Sequence, residues 1–349
     1  MRRRFIGVAL VIGLVMVVIS GCGSSSSGSS SSSATNAANT AAAGGGVLGG
    51  GLKPASAVHI DYVSCGPETN PFWSVVYRGA NEAALNLGIH WSFLPGFGST
   101  PSLSQLNQVT MSAIAAHPDG IALCGLDPTG QMSTIQQAAA AGIPVVLTPP
   151  DGNSVLYNPN LPFIGQVGQD EPVGGVVAAQ QAVSRWHAKD IICTEDGTDT
   201  TQGARCKALV DEAHKLGAQA SVQVVPDDQG QATNVLTSLL SRDQNVDTIV
   251  NTNSDVTLGA IQAKQSANRS SVHIVDFDLN TGVLNGIKDG TVDFAIDQQQ
   301  YWRGYIPILL LTQYIRYGLK MADNFLSGPS IVDKSNVNQV MQLVAENIR

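Results

Sequence analysis

The chain has 349 residues, a formal net charge of −8, and 13% charged and 5% aromatic residues against 43% hydrophobic ones. The length suggests two globular domains, or one large one, with room for a sizeable core. So little charge excludes a coiled coil and a disordered polyampholyte, and the acidic balance argues against nucleic acid as a partner.

Met1–Cys22 reads as a lipoprotein signal peptide. Arg2, Arg3 and Arg4 precede an apolar run from Phe5 to Ile19, shorter than the ~20 residues of a membrane span. The run ends in Ile19-Ser20-Gly21-Cys22, a bacterial lipobox pattern in which the Cys22 thiol takes the lipid. Removal of the leader's three arginines takes the mature chain to −11. Residues 23–56, almost all Ser, Gly, Ala, Asn and Thr, cannot bury enough apolar surface to order themselves and read as a flexible tether. The Gly44-Gly45-Gly46 and Gly49-Gly50-Gly51 runs belong to it, since no strand precedes them and no Lys-Ser/Thr follows. Lipid, tether and folded module together place the module outside the cytoplasm at a membrane surface. With Cys22 lipidated, Cys65, Cys124, Cys193 and Cys206 remain, an even number in an oxidising compartment. Cys65 and Cys124 end strands of the first half, while Cys193 and Cys206 share the second. The pairing Cys65–Cys124 and Cys193–Cys206 is expected, with no metal, because no Cys-x-x-Cys or His cluster accompanies them.

From Val58 short apolar runs alternate with helical spacing. Strands are expected at Val58–Ser64, His90–Leu94, Gly120–Cys124 and Pro144–Leu147, with helices at Pro71–Leu87, Leu103–Ala116 and Gly130–Ala141. After the Pro/Asn/Gly-rich stretch Pro149–Pro162 the alternation restarts. Strands follow at Phe163–Val167, Asp190–Thr194, Ala220–Val225, Thr248–Asn251, Val272–Phe277 and Val292–Ile296. Helices follow at Val173–Trp186, Gln202–Leu216, Ala232–Ser241, Val256–Ala267 and Gly282–Lys288. One long apolar helix over Tyr301–Phe325, kinked or opened by Pro307, completes the pattern. The fold class is α/β, two doubly wound parallel-sheet units with Phe163–Val167 opening the second.

Ligands of such sheets sit beyond the carboxyl ends of the strands. Those ends carry Glu68, Asn70, Phe72 and Trp73 after the first strand, Asp127 after the third and Asp151 after the fourth. In the second unit they carry Gln169-Asp170, Asp196 to Thr201, Asn253-Ser254-Asp255, Asp278 and Asp297 to Gln300. Taken singly, each is a helix cap or turn residue; their concentration on one edge is the signal. Rings flanked by amides and carboxylates suit the C–H faces and hydroxyls of a sugar. No Gly-x-Ser-x-Gly elbow, His-Glu-x-x-His or Walker loop occurs, and none of the six histidines falls at a strand's carboxyl end, so no catalytic group is assigned.

The motifs Asn70-Pro71-Phe72-Trp73, Asp119-Gly120-Ile121 with Gly142-Ile143-Pro144-Val145, Gly168-Gln169-Asp170, Asn253-Ser254-Asp255 with Leu258-Gly259-Ala260, Phe277-Asp278 and Ile296-Asp297-Gln298-Gln299 with Tyr301 and Gly304 occur in order. From about Ala57 to Val337 the chain thereby resembles the type I periplasmic solute-binding proteins, ribose/galactose-type sugar receptors of ABC importers. The resemblance implies two Rossmann-like lobes, 57–166 plus 298–325 and 167–297 plus 326–340, joined by three crossing segments near Gln166, Asp297 and Leu326. It implies ligand contacts from Asn70, Phe72, Trp73, Arg205, Asn253, Asp278 and Gln298, with Asp127 and Asp151 as further candidates. Where ribose-type receptors carry Asp-Arg after the fourth strand, this chain has Pro149-Pro150 and then Asp151. Where they carry a second-lobe aromatic, it has Asp227-Asp228-Gln229. The ligand expected is therefore a modified sugar, amino sugar or polyol rather than plain ribose. The implied protein is a monomer without cofactor that hands its ligand to an ABC permease. The same chemistry would serve a receptor for a membrane signalling partner. An extracytoplasmic carbohydrate-active enzyme and a purely structural surface lipoprotein are the remaining alternatives.

Overall fold

The structure is a computed structural model and describes residues 52–98, 102–148, 163–197, 199–321 and 323–349. The leader with Cys22, the tether up to residue 51, Pro149-Pro150 and Asp151 lie outside the described residues. In chain order the elements are β1 (His59–Ser64), α1 (Pro71–Leu87), β2 (His90–Pro95), α2 (Leu103–Ala115), β3 (Gly120–Cys124), α3 (Pro128–Ala140), β4 (Val145–Thr148) and β5 (Gly165–Gly168). They continue as α4 (Glu171–Trp186), β6 (Asp190–Glu195), α5 (Thr200–Lys215), β7 (Gln219–Val224), α6 (Gln229–Arg242), β8 (Thr248–Asn251), α7 (Ser254–Ser266), β9 (His273–Phe277), α8 (Thr281–Asp289) and β10 (Phe294–Asp297). The chain ends with α9 (Gln300–Tyr317), β11 (Phe325–Leu326), β12 (Ser330–Val332) and α10 (Val337–Ala345).

Two six-stranded sheets form, in the orders β11-β5-β4-β3-β1-β2 and β12-β10-β9-β8-β6-β7. Every pairing is parallel except β10 with β12. Parallel pairing follows from helical crossovers, and burial on both faces explains the near-continuous apolar strands. Successive side chains feed opposite cores. Ile60, Tyr62, Ala122 and Val146 pack with α1 and α9, whereas Val63, Ile121, Leu123 and Leu147 pack with residues of α2 and α3. The second sheet divides in the same way between Ile249 and Ile274 on one face and Val250, Val275 and Phe277 on the other. Each buried Val, Leu or Ile contributes about 1.5–3 kcal/mol relative to exposure. Cys65 bonds to Cys124 and Cys193 to Cys206, as the sequence analysis expects.

Four features differ from the sequence-based expectation. The strand at Phe163–Val167 does not open the second unit: β5 pairs with β4 and closes the first sheet. A parallel strand needs only a neighbour of like direction, and sequence periodicity does not say which sheet supplies it. The last long helix stops at Gly318, which takes the left-handed conformation (φ 70°), and Phe325–Leu326 is a strand on β5. The sequence reading passes over β12, which is three residues long, and α10, which reaches past residue 340 although Val337, Val340, Met341 and Val344 carry helical spacing. The last residues of the expected tether are tied to the fold: Lys53 pairs with Asp119, and its carbonyl accepts from Arg316 Nε at 3.1 Å.

The chain crosses between sheets three times, over Gly168–Glu171, Asp297–Gln300 and Leu326–Ser330. The crossings meet at Gly328. A Cβ there would lie 2.7 Å from Gln169 Oε1, 3.0 Å from the Asp297 carbonyl oxygen and 3.2 Å from Gln298 Cα. Helix α9 returns to the first lobe and lies so close to α1 that a Cβ on Gly304 would fall 1.9 Å from the Val76 carbonyl oxygen. No helix among the described residues is long and apolar enough to cross a membrane.

Pro307 sits inside α9 rather than in its first turn. Lacking an N–H, it cannot donate to the carbonyl four residues earlier, that of Arg303. The buried Tyr62 hydroxyl donates to that carbonyl instead, at 2.9 Å. Tyr62→Phe therefore strands a buried acceptor and is expected to cost about 1–3 kcal/mol in urea unfolding. In Tyr62→Phe/Pro307→Ala the new N–H of residue 307 restores the helical bond and recovers most of that loss. An equal loss in single and double variants would show that the hydroxyl does not serve this carbonyl.

Candidate functional site

The carboxyl ends of both sheets face a cleft of about 280 Å³. The first lobe lines it with Asn70, Phe72, Trp73, Phe97 and Arg303. The second lobe contributes Asp199, Thr201, Gln202, Arg205, Asp227, Thr252, Asn253 and Asp278, and Gln298 lies on a crossing. A larger concavity, about 660 Å³, lies under α2 at the amino ends of β1 and β2 and includes none of the residues singled out in the sequence.

Local chain chemistry sets the rim. Asn70 caps α1, its side-chain oxygen accepting from Phe72 N at 2.9 Å and Trp73 N at 3.4 Å, and Pro71 takes the first helical position. This cap aims Phe72 and Trp73 into the cleft, where their rings meet edge to face at 5.2 Å. The Trp73 indole lies over Gly66, where a Cβ would be 2.5 Å from its Cδ1. Asn253 caps α7 through Asp255 N at 2.8 Å and still lines the cleft. Asp127 caps α3 through Thr129 N at 3.0 Å but is not among the cleft-lining residues. Asp278 follows β9 with φ 75°, a left-handed conformation that Asp tolerates better than most residues, and its carboxylate accepts from Gln298 Nε2.

Two guanidinium groups are buried at the centre. Arg205 donates through Nε to Glu171 at 2.6 Å and through Nη1 to the Thr252 carbonyl at 3.2 Å, with its plane 4.8 Å from the Phe277 ring. Burial works against its charge, but Glu171 outweighs burial and holds the guanidinium above its ordinary pKa. Arg303 donates to Gln298 Oε1 and to the Thr148 carbonyl, both at 3.2 Å, and stacks over Phe72 at 5.2 Å. Burial pushes its pKa down. Burial likewise raises the carboxyls of Glu171 and Asp278, while Arg205 pulls both back. Charges taken out of water in this way persist only when paired.

Of the residues expected from sequence, the fold brings Asn70, Phe72, Trp73, Arg205, Asn253, Asp278 and Gln298 to one cleft. It also brings Gln202, Thr252 and Arg303, which the sequence reading passes over. Arg303 reaches the carbonyl of Thr148, the last residue of β4, and so delivers a guanidinium beside the place where Pro149-Pro150 replace the Asp-Arg of ribose-type receptors. Its signal in the sequence is an arginine in the first turn of the helix, just before the apolar run Ile306–Leu311. The arrangement can bind an uncharged polyhydroxylated ring: guanidinium and amide donors, carboxylate acceptors and apolar ring faces all converge. None of the six histidines lines it, and no cluster of metal-ligating residues occurs among the described residues.

Comparison with known proteins gives the family and the fold. A family model described as periplasmic binding protein domain matches residues 62–320. The xylose/arabinose-binding protein of Sulfolobus acidocaldarius is 24% identical over 77% of this chain and 69% of its own length. The ribose import binding protein of Escherichia coli is 24% identical over 77% and 85%. Among solved structures, a carbohydrate transporter from Acidothermus cellulolyticus in complex with myo-inositol superposes with a TM-score of 0.73 at 28% identity, covering 84% of this chain and 99% of that one.

Asp227 at the cleft wall supplies a test of the site's electrostatics. Desolvation pushes its carboxyl up to about 6; donation from Gln202 Nε2 at 2.9 Å opposes this, and the neighbouring Asp196 and Asp199 charges add to it. The folded state thus holds this proton more tightly than the unfolded chain does. The resulting stability is full below about pH 4 and is lost as pH rises through about 6. Asp227→Asn is expected to flatten the melting temperature across pH 4–6.5 and to raise it at pH 7; parallel profiles for variant and wild type would contradict the assignment.

Proposed function

Because the chain belongs to the periplasmic binding protein domain family, we propose that it captures one sugar or polyol molecule between its lobes and delivers it to an ABC permease. The observation that carries this reading is the cleft wall itself, where two buried arginines, three aromatic rings and the Asp278–Gln298 pair line about 280 Å³. That volume lies just under the roughly 300–1,000 Å³ of sites for drug-sized ligands, so it accommodates one ring. The mix of donors and acceptors suits hydroxyls, each of which gives one hydrogen bond and takes two. The carboxylates of Glu171, Asp199, Asp227 and Asp278 outnumber the two guanidiniums, which disfavours an anionic ligand. The similar carbohydrate transporter solved with myo-inositol supports a cyclic polyol.

In this reading Asn70, Phe72, Trp73 and Arg303 hold the ligand from the first lobe. Arg205, Asn253 and Asp278 hold it from the second, and Gln298 from the hinge. Asp127 serves as a helix cap, and Asp151 lies outside the described residues. The lobes, expected at 57–166 plus 298–325 and 167–297 plus 326–340, divide instead at the crossings Gly168–Glu171, Asp297–Gln300 and Leu326–Ser330, and close by rotation about them. The lipid on Cys22 tethers a monomer outside the cytoplasm, within reach of its permease.

Thermal unfolding against monosaccharides, inositols, alditols and amino sugars tests the proposal. A ligand at about 1,000 times its dissociation constant adds about 4 kcal/mol, a shift of several degrees. Arg205→Lys and Arg303→Lys keep the charge but lose the forked geometry, and each is expected to weaken binding about 10–100-fold by calorimetry. A ligand-free, folded protein that shifts with no member of the panel would count against the proposal.

A further inference from the structure

The hinge and the ligand-facing arginine of the second lobe are joined by one short chain of buried side chains. Gln169 lies on the first crossing, fully buried, with its Oε1 against Gly328, the point where all three crossings meet. It packs equally closely on α4, where a Cβ on Gly174 would be 3.1 Å from its Nε2. That Nε2 donates to Glu171 Oε2 at 2.6 Å. The same oxygen accepts from Arg205 Nε at 2.6 Å. Glu171 is 0% exposed and Arg205 is 4% exposed, so water does not compete for these bonds. Gln169 has no hydrogen bond to Arg205 among the described residues; the two meet only through one carboxylate oxygen.

We infer that Glu171 is a positioning residue that transmits the state of the interlobe crossings, sensed by Gln169, to the orientation of Arg205. The inference rests on the ligand reading above only in taking Arg205 as a ligand contact. Two buried atoms support it. Glu171 Oε1 and Gln169 Oε1 have no hydrogen-bond partner among the described residues. Both oxygens lie on the Gln169–Glu171–Arg205 chain, next to the crossings. Rotation about the crossings moves Gln169 against Gly328 and allows these oxygens to exchange partners. The Glu171 carboxylate then turns Arg205 with it, because a bond to an ionised pair in a dry site is short and directional. Burial raises the Glu171 carboxyl and the Arg205 charge pulls it down, so carboxylate and guanidinium depend on each other for their charge.

The test uses the full chain and myo-inositol as probe, with wild type, Gln169→Ala, Glu171→Gln and the double variant. Gln169→Ala is expected to weaken binding about tenfold in the wild-type background and to change it less than about twofold in the Glu171→Gln background. The same loss in both backgrounds would overturn the inference, since Gln169 would then act on the fold or hinge without passing through Glu171. A second arm needs no ligand. The Arg205 Nε–Hε resonance, identified by its loss in Arg205→Lys, is expected to shift in Gln169→Ala and to exchange with water about tenfold faster. An unmoved resonance overturns the relay even if sugars bind. A moved resonance in a protein that binds no panel member upholds the relay and counts against the ligand reading alone. This arm needs Gln169→Ala and Arg205→Lys to fold but not Glu171→Gln, so it decides the matter even where Glu171→Gln does not.

Discussion

Two arginine side chains are held out of water between the lobes, and keeping them charged and aimed there constrains most of what surrounds them. A buried guanidinium must recover through local contacts part of the hydration it loses. Arg205 meets this through Glu171, the Thr252 carbonyl and the face of Phe277. Arg303 meets it through Gln298, the Thr148 carbonyl and the face of Phe72. The aromatic rings thus serve twice, as core packing and as the apolar side of a cation. The positions of Arg303 and Pro307 are linked as well, since the proline frees the Arg303 carbonyl for the Tyr62 hydroxyl and ties the first turns of α9 to β1.

The second constraint is the convergence of the crossings. Three short segments of opposite sequence origin pass one point, and only a residue without a side chain fits there. Around Gly328 the hinge is packed with polar groups rather than apolar ones. Ser327 N donates to the Gly168 carbonyl at 2.9 Å, and Asp297 accepts from Gln299 N at 2.8 Å and faces Arg349 Nε at 3.1 Å. Gln299 itself sits at φ 53°, outside the conformations most side chains prefer. Polar contacts exchange partners with little loss when geometry changes, whereas an interlocked apolar core resists small displacements. A hinge made of such groups can rotate without opening either lobe's core.

Much of this was legible in the residues. Periodicity alone separates the strands from the helices through β10, because a parallel strand buried on both faces is apolar throughout and its crossover helix is not. The end of α1 at Gly88 and its start at Asn70-Pro71 could be read directly, since caps depend on neighbouring residues. The assignment of β5 could not be read from periodicity, because its partner β4 lies across the Pro/Asn/Gly-rich stretch Pro149–Pro162. The strand β11 is two residues long and exists only because β5 leaves an edge free. At the site, Asn70, Phe72 and Asp278 follow strands and could be anticipated from the rule that ligands gather at carboxyl ends. Arg303 and Gln202 could not, being helix residues whose facing depends on how α9 and α5 sit.

What the sequence determined by itself was therefore local or periodic: the order of elements, the caps, the two-sheet class and the polar edge of each sheet. The tertiary structure alone decided which strand joins which sheet, that Gly328 is the meeting point of three crossings, and that Arg303 comes to the end of β4. The physical reason is common to all three. Each depends on contacts between segments far apart in the chain, fixed by close packing rather than by neighbouring residues.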